Sequence, residues 1–413
     1  MVHEIKRCRI CGNNELVPVL DIGTQFLTGI FPRNKNQQIT SGPLELVRCV
    51  GDKNKTCGLV QLKHSFNLAE LYGDNYGYRS SLNNSMVKHL HEKVYSILNI
   101  INLKKGDLIL DIGSNDSTLL QAYGDKDYLL VGIDPTGSKF KEYYPQYINL
   151  IPDFFSKKLI NEYFGGKKAK IVTSIAMFYD LESPIDFAQQ VYDILADDGV
   201  WVLEQSYLFA MLNGNAYDTI CHEHLEYYSL RQIKWITDAV GLKIIDIEQN
   251  DINGGSFSIT AAKFHSPYND NKSKISQLLD YERALDKQET YEHFKFRVFD
   301  HREKLIEVIQ NINKDKQLIL GYGASTKGNV ILQFCKFTSE NIPYIAEINT
   351  DKFGAFTPGT LIPIISEEEA MKLRPDFLLV LPWHFRENIV SKLTEYLNSG
   401  GRLLFPLPSI EVL

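Results

Sequence analysis

Four cysteines near the start of this chain limit what it can fold into, because they precede a segment typical of a nucleotide-binding sheet. The cysteines are Cys8, Cys11, Cys49 and Cys57. Residues 108–116 (LILDIGSND) follow them and have the pattern of a buried strand that ends in a glycine-containing loop. This order predicts a metal-stapled module at the N-terminus and a nucleotide-binding α/β domain after it.

The size and charge of the chain exclude several classes of protein. Its 413 residues are enough for two or three domains that each bury a core. The net charge of -7 gives no support for nucleic-acid binding. Residues 1–8 (MVHEIKRC) lack the apolar stretch of a signal peptide, and no window approaches the ~20 apolar residues that span a bilayer. We therefore expect a cytoplasmic protein with neither a nucleic-acid nor a membrane partner.

The spacing of the cysteines favours a structural zinc site. Cys8 and Cys11 form a CxxC pair, whereas seven residues separate Cys49 from Cys57, which is looser than the usual second pair. Thiols stay reduced in the cytoplasm, so these cysteines favour a metal over disulfides. The alternatives are unrelated core cysteines or a redox pair, although a redox pair usually lies beside a βαβ unit and this one does not. Four thiolates close a tetrahedral Zn²⁺ shell, so we expect a structural ion rather than a catalytic one.

The remainder of the chain alternates between apolar strands and polar helices, which is typical of parallel α/β sheets. Residues 1 to about 65 read as short strands and loops, and residues 66 to about 105 as helices. A linker is expected at 264–274, followed by charged helices to about residue 314. The strands expected in a first α/β unit are 108–112, 128–133, 171–176 and 200–204; a second, smaller unit begins at 317–328 and continues through 344–348, 377–381 and 402–405.

The carboxyl ends of the first unit's strands carry residues that suit S-adenosylmethionine (SAM). Ligands of open α/β sheets bind at this edge, and a glycine after the first strand lets the backbone approach the cofactor closely. An acidic residue that ends the second strand accepts hydrogen bonds from the ribose hydroxyls, and a carboxylate beside an aromatic ring suits adenine. The expected cofactor-binding residues are Asp111, Gly113, Asn115, Asp116, Asp134, Asp153, Phe154 and Ala176.

Each of these residues alone is a weak signal. An acidic residue after a strand is most often a solvated turn or a helix cap. The loop also lacks a full GxGxxG pattern, which counts against a dinucleotide. The ordered set nevertheless predicts SAM binding.

The chain resembles a family of SAM-dependent sugar C-methyltransferases that build branched deoxysugars. The resemblance extends over essentially the whole chain. It rests on the four cysteines and on residues 76–81 (YGYRSS), 112–116 (IGSND), 222–224 (HEH), 322–329 (YGASTKGN) and 357–363 (TPGTLIP).

The resemblance implies an α/β protein in three parts and a particular reaction. The parts are a zinc-binding module (1–65), a central doubly wound, Rossmann-like SAM domain (66–265) and a smaller C-terminal Rossmann-like domain (266–413). The family's substrates are nucleotide-diphosphate-linked 4-keto-deoxysugars, methylated most often at C3. SAM and structural Zn²⁺ are the cofactors it implies, and we expect a monomer or a small homo-oligomer.

Residues 218–229 (DTICHEHLEYYS) concentrate ionisable groups after the fifth strand of the central unit. A carbon next to a ketone becomes a nucleophile when a base removes its proton and donors stabilise the enolate. The resemblance implies that His224 is this base and that Glu223 orients it or holds the substrate. His222 is a weaker candidate for stabilising the enolate. An isolated His-x-His pair is more often a capping or core cluster, and a zinc site fits this non-helical run poorly.

Two positions depart from the family's pattern. Members often carry tyrosine immediately before the His-Glu-His run, where this chain has Cys221. Any role of that hydroxyl must pass to another group, and the candidates are Tyr76, Tyr78, Tyr179 and Tyr227. The cofactor loop has Ser117 where glycine is common, which puts the conformation of the loop in question.

The resemblance implies that the substrate binds between the C-terminal unit and the SAM domain. Tyrosine and serine hydroxyls suit a sugar, and the glycine-rich turn 321–328 offers backbone N–H groups and Lys327 to a diphosphate. A tyrosine cluster is equally common in plain packing, and one glycine-rich turn is a weak signal. The expected substrate-binding residues are Tyr76, Tyr78, Ser81, Cys221, Tyr322 and Lys327.

Two other functions compete with carbon methylation. An O- or N-methyltransferase on the same scaffold needs no enolate. A zinc-containing protein that binds sugar nucleotides without turnover needs neither the cofactor loop nor the His-Glu-His run, and both features count against it.

Overall fold

The computed structural model describes residues 2–52, 54–71 and 78–413. Its strands, in chain order, are β1 (His3–Glu4), β2 (Leu16–Phe26), β3 (Ser41–Cys49), β4 (Val60–Leu62), β5 (His64–Ser65), β6 (Leu108–Ile112), β7 (Leu129–Ile133), β8 (Ile148–Ile151), β9 (Ala169–Ile175), β10 (Leu195–Ser206), β11 (Glu226–Tyr227), β12 (Leu242–Asn250), β13 (Ser256–Lys263), β14 (Ile319–Tyr322), β15 (Ile345–Glu347), β16 (Ile364–Ser366), β17 (Phe377–Val380), β18 (Arg402–Phe405) and β19 (Glu411–Val412). Its α-helices are α1 (Leu68–Leu71), α2 (Asn84–Ile100), α3 (Thr118–Gln121), α4 (Gly137–Phe140), α5 (Lys157–Phe164), α6 (Pro184–Ile194), α7 (Leu208–Asn213), α8 (Leu230–Ala239), α9 (Lys272–Tyr281), α10 (Gln288–Lys314), α11 (Thr326–Phe334), α12 (Glu367–Lys372), α13 (Arg386–Lys392) and α14 (Thr394–Asn398).

The N-terminal module is built on a longer antiparallel sheet than the short strands expected from the sequence. β2 and β3 are 11 and 9 residues long and pair with each other, β4 pairs with β3, and β11 pairs with β4. The register of β2 against β3 shifts twice, between Pro18 and Leu20 and between Asp21 and Thr24. Each irregularity interrupts the alternation of inward and outward side chains, so the sequence of β2 reads as several short pieces.

The central unit is a doubly wound sheet, as predicted. Its strands lie in the order β12-β13-β10-β9-β6-β7-β8. β8, β7, β6, β9 and β10 are parallel, whereas β13 is antiparallel to both β10 and β12. All five residues of β6 are buried, as expected for a strand that helices cover on both faces. This arrangement brings the carboxyl ends of β6, β7 and β9 to one edge.

The C-terminal unit is a second, smaller parallel sheet, also as predicted. Its order is β16-β15-β14-β17-β18-β19, and only the last pair of strands is antiparallel among the described residues. The charged region before it forms α9 and the 27-residue α10.

Two hydrophobic cores tie the N-terminal module to both α/β units. Leu44 and Leu46 of β3 belong to the same buried cluster as Leu320 of the C-terminal sheet and Phe294 of α10. The four cysteines belong instead to the cluster that fills one face of the central sheet. The module therefore packs against both units and fixes them with respect to each other.

No helix in the described part of the chain is both long and apolar enough to cross a membrane.

Candidate active site

A cavity of about 920 Å³ opens between the carboxyl edge of the central sheet and the C-terminal unit. All three parts of the chain contribute to its wall. Gly29 and Phe31 come from the N-terminal module, and the loop after β6 comes from the central unit. The turn 322–327 comes from the C-terminal unit. This volume lies near the upper end of the range for small-molecule sites, about 300–1,000 Å³, which is consistent with more than one ligand.

The loop after β6 lines the cavity and has a left-handed backbone conformation at three of its residues. Gly113, Asn115 and Ser117 have φ angles of 77°, 48° and 65°, which is the left-handed region. A Cβ atom at Gly113 would lie 3.0 Å from the Cγ atom of Met177, so glycine is needed there for space as well as for conformation. Ser117 keeps the conformation that favours glycine because its hydroxyl donates to the carbonyl of Tyr143 at 3.1 Å.

Two carboxylates of the expected cofactor set lie on the cavity wall. The carboxylate of Asp111 lines the cavity and accepts a hydrogen bond from the hydroxyl of Thr173 at 2.6 Å. Burial raises the pKa of Asp111 to about 7. Asp134 follows β7 and accepts hydrogen bonds from the backbone N–H groups of Asn115 and Thr136 at 2.8 and 2.7 Å. These bonds hold the Asp134 carboxylate at the end of β7, where a ribose would meet it.

The other members of the expected cofactor set divide into two groups. Phe154 and Ala176 lie on the wall with Gly113 and Asn115. Asp116 is buried behind the loop, where it accepts from the backbone N–H of Ser81 at 2.9 Å and so supports the segment that precedes α2. Asp153 lies on the surface, outside the residues that line the cavity.

His224 lies on the cavity wall with one ring nitrogen fixed. Its Nδ1 atom is 2.8 Å from the carbonyl oxygen of Thr219. A carbonyl only accepts hydrogen bonds, so Nδ1 carries the proton and Nε2 of the neutral ring keeps its lone pair. The ring stands edge-on to Tyr179 with centroids 4.3 Å apart. Burial, and then the positive charge of Lys327, lower the pKa of His224 to about 4, so the imidazole is neutral at neutral pH.

The two residues before His224 turn to different sides. Glu223 lies on the cavity wall, where burial raises its pKa and its Oε2 atom has no partner among the described residues. A Cβ atom at Gly29 would lie only 2.9 Å from the Oε1 atom of Glu223, so this glycine of the N-terminal module leaves room for the Glu223 carboxylate. His222 points away from the cavity, with Nε2 3.3 Å from the carbonyl of Gly42 and its ring 4.6 Å from that of Phe66.

The expected substrate residues are only partly gathered at the cavity. Tyr78, Cys221, Tyr322 and Lys327 lie on its wall. The hydroxyl of Tyr322 donates to Glu367 at 2.6 Å. Ser81 is exposed and does not line the cavity, although its neighbour Ser80 does. Tyr76 lies outside the described residues.

Sequence reasoning missed a buried carboxylate on the same wall. Glu204 ends the apolar run of β10, and its oxygens lie 2.5 Å from Nε2 of His89 and 3.1 Å from Nζ of Lys93. Burial acts to raise the pKa of Glu204, but the hydrogen bond from His89 and the charge of Lys93 outweigh it and hold the pKa below its usual value. A charged residue inside an otherwise buried strand was the available signal.

A second missed group surrounds the turn of the C-terminal unit. Glu347 ends β15 and accepts from the backbone N–H of Ala324 at 2.8 Å and from that of Asn349 at 2.9 Å. Lys352 donates to the carbonyl of Ala324 at 2.7 Å, and its ammonium lies 4.6 Å from the centre of the Phe31 ring. The glycine-rich turn is therefore braced on one side by a carboxylate and on the other by a cation.

The four cysteines form one cluster that fits a zinc ion. Their sulfur atoms all lie within 4.8 Å of one another, and the pairs Cys8–Cys57 and Cys11–Cys49 are both 3.5 Å apart. Zn–S bonds of about 2.3 Å in a tetrahedron place sulfurs about 3.8 Å apart. The side-chain amide of Asn13 donates to the sulfur of Cys49 at 3.3 Å, which steadies a thiolate.

Three family models match the chain one after another. The model described as "Putative zinc binding domain" matches residues 8–72, and the model described as "Methyltransferase domain" matches residues 86–247. The model described as "C-methyltransferase C-terminal domain" matches residues 251–408. Together the three matches span nearly the whole chain.

One curated relative is similar over its full length. It is C-methyltransferase NovU of Streptomyces niveus, which is 28% identical over 418 aligned residues, covering 100% of this chain and 98% of the relative.

Solved methyltransferase structures are similar to part of the chain. The plantazolicin methyltransferase BpumL, in complex with a triazolic desmethylPZN analog and S-adenosylhomocysteine (SAH), is 13% identical, with 45% of this chain and 87% of that one covered and a TM-score of 0.37. The CcbJ methyltransferase of Streptomyces caelestis is 10% identical, with 42% and 89% covered and a TM-score of 0.33.

Proposed function

We propose that this chain is a SAM-dependent C-methyltransferase that methylates a ring carbon of a nucleotide-linked ketosugar. Its successive matches to a zinc-binding domain, a methyltransferase domain and a C-methyltransferase C-terminal domain, and its full-length similarity to a C-methyltransferase, support this proposal. The substrate is a nucleotide-diphosphate-linked 4-keto-deoxysugar and the methylated atom is C3, next to the ketone. The proposed base is His224. SAM supplies the methyl group as an electrophile, and zinc holds the N-terminal module.

The fixed tautomer of His224 is the observation that carries this proposal. Because Nδ1–H is held by the Thr219 carbonyl, the proton-accepting Nε2 is left for a ligand in the cavity. The same cavity contains the cofactor loop, so a base and a methyl donor can act on one carbon. Methylation of an oxygen or nitrogen needs a base but no enolate, and the match of residues 251–408 to a C-methyltransferase domain favours the carbon.

The chain's own groups divide the work in the proposed reaction. His224 takes the proton from C3, which leaves an enolate whose negative charge lies mainly on the ketone oxygen. Glu223, whose pKa is raised by burial, holds a sugar hydroxyl beside the base. The C3 carbon then forms a bond to the methyl group, and His224 releases its proton to solvent. Burial of the site excludes water from the enolate.

The C-terminal unit is proposed to hold the nucleotide diphosphate. The backbone N–H groups of Gly323, Ala324 and Ser325 already donate within the chain. The first N–H groups of α11, at Thr326 and Lys327, are therefore the ones proposed to meet the diphosphate, and Lys352 adds a positive charge beside the turn. The carboxylate of Glu347 already accepts from backbone N–H groups on both sides, which counts against the ribose clamp of a dinucleotide-binding fold.

The test is a panel of nucleotide-linked ketosugars incubated with the enzyme and SAM. The panel includes the thymidine-diphosphate and guanosine-diphosphate forms of a 4-keto-6-deoxyhexose. We expect a gain of one methyl group by mass spectrometry, located on C3 by NMR. A methyl group found on oxygen or nitrogen would contradict the proposal.

The role of His224 is tested by two matched substitutions. His224→Gln removes the base, and we expect turnover to fall by about 10³-fold or more with the Kd for SAM within threefold of the wild type. His222→Gln changes the neighbouring histidine that faces away from the cavity, and turnover should stay within tenfold. Near-normal turnover of His224→Gln would remove this residue from the reaction.

A cytosolic location is part of the same proposal. None of the six cysteines forms a disulfide in the structure, which suits a reducing compartment.

A further inference from the structure

We propose that Lys327 is a catalytic residue that donates a hydrogen bond to the ketone oxygen and stabilises the enolate, in place of the tyrosine hydroxyl that this chain lacks. This inference rests on the proposed function, because only a ketone substrate forms an enolate. It also moves Lys327 from the diphosphate, where the sequence placed it, to the reacting part of the sugar.

The side chain of Lys327 reaches across the cavity to the central unit. Lys327 lies in the first turn of α11, and its Nζ atom donates to the carbonyl oxygen of Asn253 at 2.8 Å. Asn253 belongs to the short turn before β13 and has a φ angle of 57°. The lysine therefore leaves the glycine-rich turn and ends beside the loop that faces the SAM domain's sheet edge.

The ammonium of Lys327 keeps donors for a ligand. A lysine has three N–H donors, and within the described ranges the Asn253 carbonyl is the one acceptor bonded to this group. No carboxylate of those ranges lies within 4.0 Å of its Nζ atom. A buried cation without a close counter-ion is unfavourable unless negative charge is supplied to it. Lys327 lines the cavity, so a ligand oxygen can supply that charge.

Lys327 lies in the electrostatic neighbourhood of the proposed base. Burial lowers the pKa of Lys327, and the nearby carboxylate of Asp218 opposes that effect. After burial, the charge of Lys327 is the next cause that lowers the pKa of His224. The ammonium and the imidazole both line the cavity, in which a base and an oxyanion donor must act on one ligand.

A chain of contacts fixes the ammonium and the imidazole with respect to each other. Trp383 donates through Nε1 to the carboxylate of Asp218 at 2.7 Å, and Gly254 packs so tightly on the Trp383 ring that a Cβ there would lie 3.1 Å from it. Asp218 precedes Thr219, whose carbonyl holds His224. The turn that binds Lys327 and the carbonyl that binds His224 are thus joined through one buried tryptophan, which preorganises the pair.

Cys221 cannot perform the role of the missing hydroxyl. It occupies the position where the resembled family often has tyrosine, and it lies on the cavity wall. Burial raises the pKa of its thiol well above the usual value, and a thiol is a weak hydrogen-bond donor. An ammonium is the stronger donor to an oxyanion, because the hydrogen bond is charge-assisted.

The proposed step forms an enolate and then consumes it. The C3–H bond breaks, its proton passes to Nε2 of His224, and its electron pair forms the C3=C4 bond as the C4=O double bond becomes a single bond. The negative charge on the C4 oxygen is met by an N–H of Lys327. When C3 forms its bond to the methyl group, the C4=O double bond returns and the cofactor's carbon–sulfur bond breaks, so SAH leaves.

Deuterium exchange separates this step from methyl transfer. The wild-type enzyme is incubated in D₂O with SAH and thymidine-diphosphate-linked 4-keto-6-deoxyglucose. A separate incubation uses the guanosine-diphosphate analogue. NMR follows the exchange of the C3 hydrogen for deuterium in each. We expect Lys327→Met to slow exchange at saturating sugar by about 10²-fold or more, as for loss of one oxyanion donor. Its Kd for the free nucleoside diphosphate should stay within threefold. Lys327→Arg keeps the charge and should recover part of the rate.

Four further measurements make the result specific. Lys336→Met removes an exposed lysine just beyond α11 and should change neither quantity. Lys352→Met should raise the Kd for the nucleoside diphosphate by tenfold or more. Since the charge of Lys327 lowers the pKa of His224, Lys327→Met should move the acid limb of the exchange rate to higher pH. Retained affinity of Lys327→Met for SAM shows that the variant is folded.

Two outcomes overturn the inference in different ways. If the wild type exchanges deuterium and Lys327→Met does so at a similar rate, or if Lys327→Met mainly weakens nucleotide binding, the catalytic role of Lys327 is wrong while the proposed function stands. If the wild type exchanges no ketosugar of the panel and methylates none, the proposed function fails and the role of Lys327 fails with it.

Discussion

His224 shows how burial and a nearby positive charge set the working pH range of a proposed base. An unperturbed histidine is half protonated near pH ~6.5, so it loses much of its basic form in mildly acidic conditions. Burial and the charge of Lys327 lower the pKa of His224 to about 4. The imidazole is therefore ready to accept a proton throughout the neutral range.

This lowered pKa predicts the pH dependence of the reaction. Because the basic form of His224 persists above about pH 4, the acid limb of kcat/KM, which reports the free enzyme, should have its midpoint near that value. The measurement uses brief assays from pH 3.5 to 8, with SAM binding measured in parallel as a control for folding. A midpoint at pH 6 to 7 would contradict the environment described for His224.

The residues of the His-Glu-His run were predicted as a set, but their directions were not. The run lies between a short turn and β11, so neither helical nor strand periodicity fixes which side chains share a face. His224 faces the cavity because the Thr219 carbonyl holds its ring, and His222 faces the N-terminal module because Gly42 and Phe66 receive it. Those partners are distant in sequence or depend on a tight turn, so local pattern contains no record of them.

At the scale of elements, the loop after β6 combines backbone conformation with close packing. Gly113 and Gly106 flank the same strand and have almost the same φ, 77° and 78°. A Cβ at Gly113 would press on the side chain of Met177, whereas a Cβ at Gly106 would meet only the end of Lys167 at 3.9 Å. The pair separates conformational strain from damage to the cofactor site.

We expect Gly113→Ala to raise the Kd for SAM by tenfold or more, and Gly106→Ala to leave it within twofold. Both variants force alanine into a left-handed conformation and should lose about 1 kcal/mol or more of unfolding free energy. Isothermal titration gives the Kd and urea unfolding gives the stability. Equal effects of both substitutions on SAM affinity would show that strain, and not the site, is responsible.

Helix α2 is held to the central sheet by a buried ionic network. Glu204 of β10 receives His89 and Lys93, which lie one helical turn apart on α2, and Lys93 also lies 2.6 Å from Glu248. The Glu204 side chain is 3% exposed and that of Glu248 is 44% exposed. Removing one partner of a buried pair leaves the other charge without compensation.

Glu204→Gln should therefore destabilise the protein by roughly 3 kcal/mol, and Glu248→Gln by less than about 1 kcal/mol. Urea unfolding at neutral pH measures both variants. Because α2 and Glu204 both line the cavity, Glu204→Gln should also weaken SAM binding. Similar losses of unfolding free energy in the two variants would contradict the larger contribution assigned to the buried carboxylate of Glu204.

Elements of the two parallel sheets were well predicted because their strands are buried and continuous. The expected strands 108–112 and 402–405 coincide with β6 and β18, and 377–381 differs from β17 by one residue. The N-terminal sheet was not predicted at its true length, because the irregular register of β2 hides its alternation. The pairing of β11 with β4 joins residues more than 160 positions apart, which no local pattern records.

At the scale of the whole molecule, the zinc cluster lies where the N-terminal module packs against the central unit. The cysteines pack in the core of the central unit, while β2 and β3 pack in the core that contains the C-terminal sheet. The CxxC spacing predicts the cluster. It does not predict which part of the chain the cluster packs against, because the two cores are formed by contacts between distant segments. The division of the chain at residues 65 and 265 stays a prediction.

Loss of zinc should therefore separate catalysis from cofactor binding. Each chain should hold one zinc ion by elemental analysis, and its removal with a chelator, or by Cys57→Ser, should lower Tm by roughly 5–10 °C, since a structural zinc ion contributes to folding free energy.

The cavity needs Gly29 and Phe31 on one side and the turn 322–327 on another. Methylation should then fall by more than tenfold in the zinc-free protein, while the Kd for SAM, set by the loop after β6, changes less. Cys335→Ala is the matched control, because Cys335 is equally buried but lies in the other core, and it should retain one zinc ion and most of the activity. A zinc-free protein with normal Tm and full activity would show that the cysteine cluster does not stabilise the N-terminal module.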